Sequence, residues 1–240
     1  DKGITVERLS TRSGLLDQFD DARRRLDATE TYRNYDRIRQ RALSLVTSAK
    51  MRNAFDIRQE KDSLRDTYGR HLFGQSCLMG RRMVEAGARF VTVLWDAPDG
   101  YSWDSHRSSQ DLKKYLLPGF DQAFSALISD MDDRGLLDET LVVVVGEMGR
   151  TPRKYGDWGR SHWTHCFPAL IYGAGIQGGM TFGRSDKHAA YPQDHPVAPE
   201  ELAATIFHSL GIDPAMRILD RQGRPVPLVK GVQPLTHLFA

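Results

Sequence analysis

The sequence predicts an α/β protein with a mainly parallel sheet flanked by helices, preceded by a helical N-terminal third. Three observations carry that reading. Apolar, β-branched runs occur at residues 89–95, 141–145 and 169–172. Amphipathic stretches of helical period lie between the first two runs and after the third. The resulting order of strand, helix, strand, loop, strand and helix favours parallel strands joined by crossovers. The chain is therefore expected to divide into a helical segment, 1–88, and an α/β region, 89–240.

In the first segment, Leu15, Leu16, Phe19 and Leu26 recur at helical spacing over residues 12–29, with Asp and Arg left for the opposite face. Further helices are expected over about 32–48 and 70–86, the latter closed by Gly87. The run Arg89-Phe90-Val91-Thr92-Val93-Leu94-Trp95 has the composition of a strand buried on both faces. A turn cluster follows at 96–100. The next helix spans about 109–134, with Leu116, Phe120, Phe124, Leu127 and Met131 on one stripe and Pro118 marking a break near its start. Leu141 to Val145 is a strand by its apolar run, as is Ala169 to Tyr172. The last helix covers about 200–210, with Pro199 in its first turn and Gly211 beyond its end.

Composition limits the function classes. A hydrophobic fraction of 40% beside 27% charged residues is that of a folded, soluble protein. The 33 Lys and Arg against 31 Asp and Glu leave a net charge of +2, which gives no basis for a nucleic-acid partner. Two cysteines without C-x-x-C spacing argue against a disulfide framework or a thiolate metal site. No run approaches the roughly 18 to 20 apolar residues of a membrane span. The chain opens Asp1-Lys2-Gly3 without a methionine, as a processed or truncated chain would.

Polar residues capable of chemistry gather where an open α/β sheet keeps its functional groups, in loops at the strand ends. Asp104 and His106 sit two apart in a loop, either as a solvated turn or as carboxylate and imidazole ligands of one divalent ion. Glu147, one glycine beyond an apolar strand, would be costly to bury without a cation. That cation is either a metal or the guanidinium of Arg150 or Arg153. His162 and His165 lie three apart beside Trp163, as ligands or as core histidines bonded to backbone carbonyls. Asp186-Lys187-His188 has no spacing that fixes a role, and His195, His208 and His237 read as structural or surface residues. There is no G-x-S-x-G, no phosphate-cradling glycine loop and no H-E-x-x-H. The glycines from Gly173 to Gly179 do not precede a helical pattern, which argues against a dinucleotide site.

Several segments in one order resemble a bacterial family, domain of unknown function 1501: Arg134 through Pro152 with its Gly-Glu-Met-Gly-Arg-Thr-Pro ending, Gly159-Arg160-Ser161-His162-Trp163, Ser185-Asp186-Lys187-His188, and Pro199 through Ile206. That family is similar to the alkaline phosphatase and sulfatase superfamily. The resemblance implies an alkaline-phosphatase-like fold of which this chain lacks the first part. It implies a divalent metal (zinc, manganese, calcium or magnesium) held by Asp104, His106, Glu147 and His162, a small anionic phosphate or sulfate ester as substrate, and Arg150 and Arg160 neutralising developing charge. Glu147 stands where the superfamily has the Asp of an Asp-His pair and Met148 where it has the His, so one metal position is altered. The resemblance also implies a periplasmic or secreted bacterial protein. The superfamily's nucleophile comes from an earlier segment, which a missing N-terminal part or a partner chain would have to supply. The expected function is metal-dependent ester hydrolysis; the alternative is a non-catalytic metal-binding or interaction module.

Overall fold

The computed structural model describes residues 5, 7–8, 10–16, 37–40, 42–44, 48–95, 103–156 and 158–240. The chain divides into two units, Asp1–Arg65 with Leu78–Thr92 and Asp66–Cys77 with Val93–Ala240. Residues 10–16, 37–40 and 42–44 are helical, in line with the two helices expected there. Phe19, Leu26 and the turn at 96–100 lie outside the described residues.

In the first unit, helix α1 (Ala49–Phe55) begins at Ser48, whose side chain accepts the Met51 N–H, as an N-cap should. Helix α2 (Asp62–Thr67) follows, and then α3 (Leu72–Glu85), within which the division between units falls. Arg81 is 1% exposed, and its guanidinium donates to Glu60 at 2.9 Å and to Glu85 at 2.6 Å. A buried cation is tolerated because it is paired and hydrogen-bonded. Arg82 also contacts Glu60 and donates to the Ala54 carbonyl at 3.0 Å. Gly87 closes α3 at φ +95°, its N–H bonded to the Val84 carbonyl, while Ala88 reaches back to Met83. The left-handed conformation is why a glycine ends this helix.

In the second unit, the expected helix at 109–134 is α4 (Leu117–Asp133), preceded by a π-helical turn at Leu112–Leu116. Pro118 has no N–H to continue the α ladder, and the turn before it widens accordingly. Leu116 and Met131 of the predicted stripe are buried, along with Ala123 and Ala126. Tyr68, fully buried, donates to Asp130 at 2.8 Å, and Arg134 donates to the other carboxylate oxygen at 2.7 Å. The last helix, α5 (Pro199–Ser209), starts with the Ala198 N–H bonded to Glu201 and ends at Gly211. Buried Thr205 on α5 accepts the Leu235 N–H at 2.9 Å.

The expected parallel sheet does not form. Strand β1 (Val142–Val145) pairs antiparallel with β4 (Ala169–Tyr172), Val142 opposite Tyr172 and Val145 opposite Ala169. The other pairs are β2 (Gly149–Arg150) with β3 (His162–Trp163), β5 (Arg184–Ser185) with β6 (Pro192–Asp194), and β7 (Arg217–Leu219) with β8 (Pro225–Pro227). Each is a two-stranded antiparallel sheet. Parallel pairing needs a crossover of a dozen or more residues, usually a helix. Between Val145 and Ala169 the chain instead makes the β2–β3 hairpin, so β4 returns antiparallel to β1. The run at 89–95 is not a strand: it has no ladder partner among the described residues, and Phe90 and Leu94 are 75% and 85% exposed. The α/β architecture of alkaline-phosphatase type is thereby overturned for the described residues.

Candidate metal centre

Two short segments of the second unit build the site. The first is the arm from Trp103 to Arg107. The ring of Trp103 stands edge-on to Trp95, with centroids 5.2 Å apart, and to Phe120 of α4, and Trp95 stacks on Phe73 at 4.1 Å. These contacts fix the arm to the aromatic layer through the residue just before Asp104. Successive bonds from Ser105 N–H to the Trp103 carbonyl and from His106 N–H to the Asp104 carbonyl curl the arm tightly.

The second segment is the β2–β3 hairpin, in which Arg150 lies directly opposite His162. Thr151 N–H bonds to Ser161, and Tyr155 and Gly159 exchange bonds nearer the tip. The hairpin is joined to the arm by Arg160 N–H to the Ser105 carbonyl at 2.9 Å and Ser109 N–H to the Trp158 carbonyl at 3.0 Å. Gly159 allows the junction: a Cβ there would fall 1.7 Å from the His106 carbonyl oxygen. Only glycine permits such a backbone approach.

The junction brings Asp104, His106 and His162 together. Asp104 Oδ1 lies 3.0 Å from His106 Nε2 and 3.0 Å from His162 Nε2, and the two imidazole nitrogens are 3.0 Å apart. This triangle cannot be satisfied by hydrogen bonds alone. Each Nε2 carries at most one proton and a carboxylate none, so two hydrogens at most serve three contacts. A cation facing all three lone pairs removes the conflict. Zinc bonds of about 2.0–2.1 Å give tetrahedral edges of about 3.3 Å, and octahedral bonds of about 2.1 Å give edges of about 3.0 Å. The three atoms thus fit a divalent ion in size and in chemistry. They are the one such group of three or more His, Cys, Asp or Glu among the described residues.

Arg150, 20% exposed, also contacts Asp104 Oδ1 through Nη1. Its guanidinium foremost, and His162 after it, hold the Asp104 carboxyl below the usual carboxylate range, so the group is anionic at neutral pH. The other expected residues are placed differently. Glu147 is exposed and does not join the triangle. Beyond β1 the chain is already in solvent, so the desolvation that would have demanded a cation does not arise. Arg160 is half-buried and touches the arm through its backbone. His165 packs against Trp163 and Tyr191 instead. Asp186 closes its own loop, accepting the His188 and Ala190 N–H groups at 2.9 Å each. Two supporting residues escaped sequence reasoning: Trp103, whose signal was an aromatic abutting the Asp104 pair, and Gly159, a glycine three residues before His162.

Among the described residues, the fold leaves one exposed group of two histidines and a carboxylate that could hold a metal ion. A profile of the family described as protein of unknown function DUF1501 matches residues 1–239, and the chain belongs to that family. No curated protein and no solved structure is significantly similar to it.

Proposed function

We propose that the protein is a metal-dependent hydrolase of small anionic esters, phosphate or sulfate, in keeping with its resemblance to the alkaline phosphatase and sulfatase superfamily. The observation that carries the reading is the triangle of Asp104, His106 and His162, whose three mutual 3.0 Å contacts lack enough protons. Two imidazoles with one carboxylate suit zinc or manganese better than calcium, which takes oxygen ligands. Three protein ligands leave a coordination position open, the pattern of catalytic rather than structural sites. An ion held there would supply Lewis acidity toward an ester oxygen and toward water. The Trp103 anchor and the hairpin junction keep the three ligands in register. Arg150 offers a guanidinium to the substrate's charged oxygens, and Arg160 follows next to the same junction.

Thr151 on the hairpin accepts the Ser161 N–H and donates to the Arg153 carbonyl, so its hydroxyl is engaged in the turn. The hydrolytic reading takes water as the attacking group. A second reading, a metal-binding module without turnover, is favoured by the position of Glu147 outside the single ligand group.

The test is thermal melting with zinc or manganese, since a ligand of the folded state raises its apparent stability. The melting temperature of the wild type should rise, and Asp104→Asn and His162→Ala should lose most of that rise. Equal shifts in all three proteins would remove the metal centre. Release of p-nitrophenol from its phosphate or sulfate ester by the metal-loaded wild type then separates hydrolase from module.

A further inference from the structure

We propose that Arg150 is the resting counter-cation of the triad, and that an entering metal displaces it from Asp104 and hands it to a tetrahedral oxyanion, phosphate or sulfate. The inference rests on the metal-centre reading and adds to it a coupling between ion and anion binding. Its basis is the crowding of one atom. Asp104 Oδ1 alone meets Arg150 Nη1, His106 Nε2 and His162 Nε2. A carboxylate oxygen has about two lone-pair directions, so three partners already overfill it. The guanidinium thus stands where a metal's charge would act.

A divalent ion bonded to the same oxygen would lie roughly 4 Å from Nη1, where like charges repel strongly in a partly desolvated site. Ion and guanidinium therefore compete for Oδ1. At rest Arg150 meets Asp104 Oδ1 through Nη1, and a tetrahedral oxyanion offers the two-pronged acceptor that a guanidinium fits best. Because Arg150 sits opposite His162 in the β2–β3 register, its backbone stays at the site after the contact breaks. Metal binding frees the anion-binding group, and by reciprocity an anion that captures Arg150 favours the metal. Arg150 is in this sense a competitor of the ion and a ligand for the anion.

The experiment is calorimetric titration of the intact chain with manganese chloride, with and without sodium sulfate at constant ionic strength. Arg150→Ala should bind manganese about tenfold tighter than wild type in the absence of sulfate, because the competing cation is gone. Sulfate should tighten manganese binding by wild type at least about fivefold, the lower end of typical couplings, and leave the variant unchanged. Arg150→Gln, which keeps a polar side chain without the charge, should behave as Arg150→Ala does and serves if that variant does not fold. Equal or weaker manganese binding by the variants, no sulfate effect in wild type, or an undiminished sulfate effect in the variants would overturn the handover while leaving the metal centre standing. Failure of wild type and both variants to bind manganese or zinc at all would overturn both.

Discussion

Replacing Gly159 by alanine puts a methyl group where the backbone of the facing arm already is. The added Cβ would lie 1.7 Å from the His106 carbonyl oxygen and 2.4 Å from its carbon, whereas real Cβ contacts do not fall below 3.0 Å. The arm and the hairpin must therefore part by at least 3.0 − 1.7 = 1.3 Å. Neither neighbour is a flexible side chain that could swing aside. The movement strains the two bonds flanking Gly159, from Arg160 to Ser105 at 2.9 Å and from Ser109 to Trp158 at 3.0 Å. It also carries His106 away from His162. Metal sites tolerate ligand displacements of only about 0.2 Å, so a shift several times larger should lower manganese or zinc affinity by at least tenfold, on the order of the 10–100-fold losses seen when outer support of a ligand is removed. Overpacking adds about 1–3 kcal/mol of destabilisation, read as about 2–4 °C of melting temperature per kcal/mol in a chain of this size. Calorimetric metal titration and a metal-free thermal melt measure the two effects. Gly178→Ala is the control, since a methyl there meets nothing within 4 Å. If Gly159→Ala binds metal as tightly as wild type and melts with the control, the close approach of arm and hairpin is wrong.

Two further outcomes probe the second unit away from the triad. Tyr68→Phe removes a donor from Asp130 inside the core, where the two groups are 0% and 8% exposed, and should reduce unfolding free energy by about 1–3 kcal/mol; an unchanged urea midpoint would contradict it. Burial pushes the Cys77 thiol up to about 12, so iodoacetamide at mildly alkaline pH should modify the half-buried Cys166 and spare Cys77 until the protein is denatured. Intact-mass analysis showing two adducts on the native protein would refute the burial of Cys77.

The parts of the fold that were legible in the sequence are those that local rules decide. Residues 70–86 read as a helix because their apolar face has the right period and Gly87 supplies the left-handed end, and α3 runs from Leu72 to Glu85. Pro199 and Gly211 bracket α5 by the same logic. Strand composition was equally visible at 141–145 and 169–172, but pairing direction was not, because it is set by what the intervening chain does. Composition does not fix burial either: Val145, Leu170 and Tyr172 are 48%, 47% and 42% exposed. At 89–95 the composition was that of a strand and the partner was missing. The site divides in the same way. Asp104 and His106 could be found as a loop pair, and His162 through a family resemblance. The convergence of all three with Arg150 depends on hairpin register and on one glycine junction, neither of which a residue pattern announces.

The close spacing of Asp104 and His106 is explained by the arm itself. Here the Ser105 and His106 N–H groups turn back on the carbonyls two residues earlier, at 2.9 and 2.8 Å, which shortens the path between the two side chains. Ser105, between them, faces inward and is 5% exposed, with its hydroxyl 3.4 Å from that of Ser109 and its carbonyl bonded to Arg160. With the middle residue held inside, Asp104 and His106 are left exposed on the outer side, where His162 meets them. The buried serine is thus a condition of the triad's geometry, because releasing it would relax the curl and separate Oδ1 from Nε2 without altering any of the three triad residues.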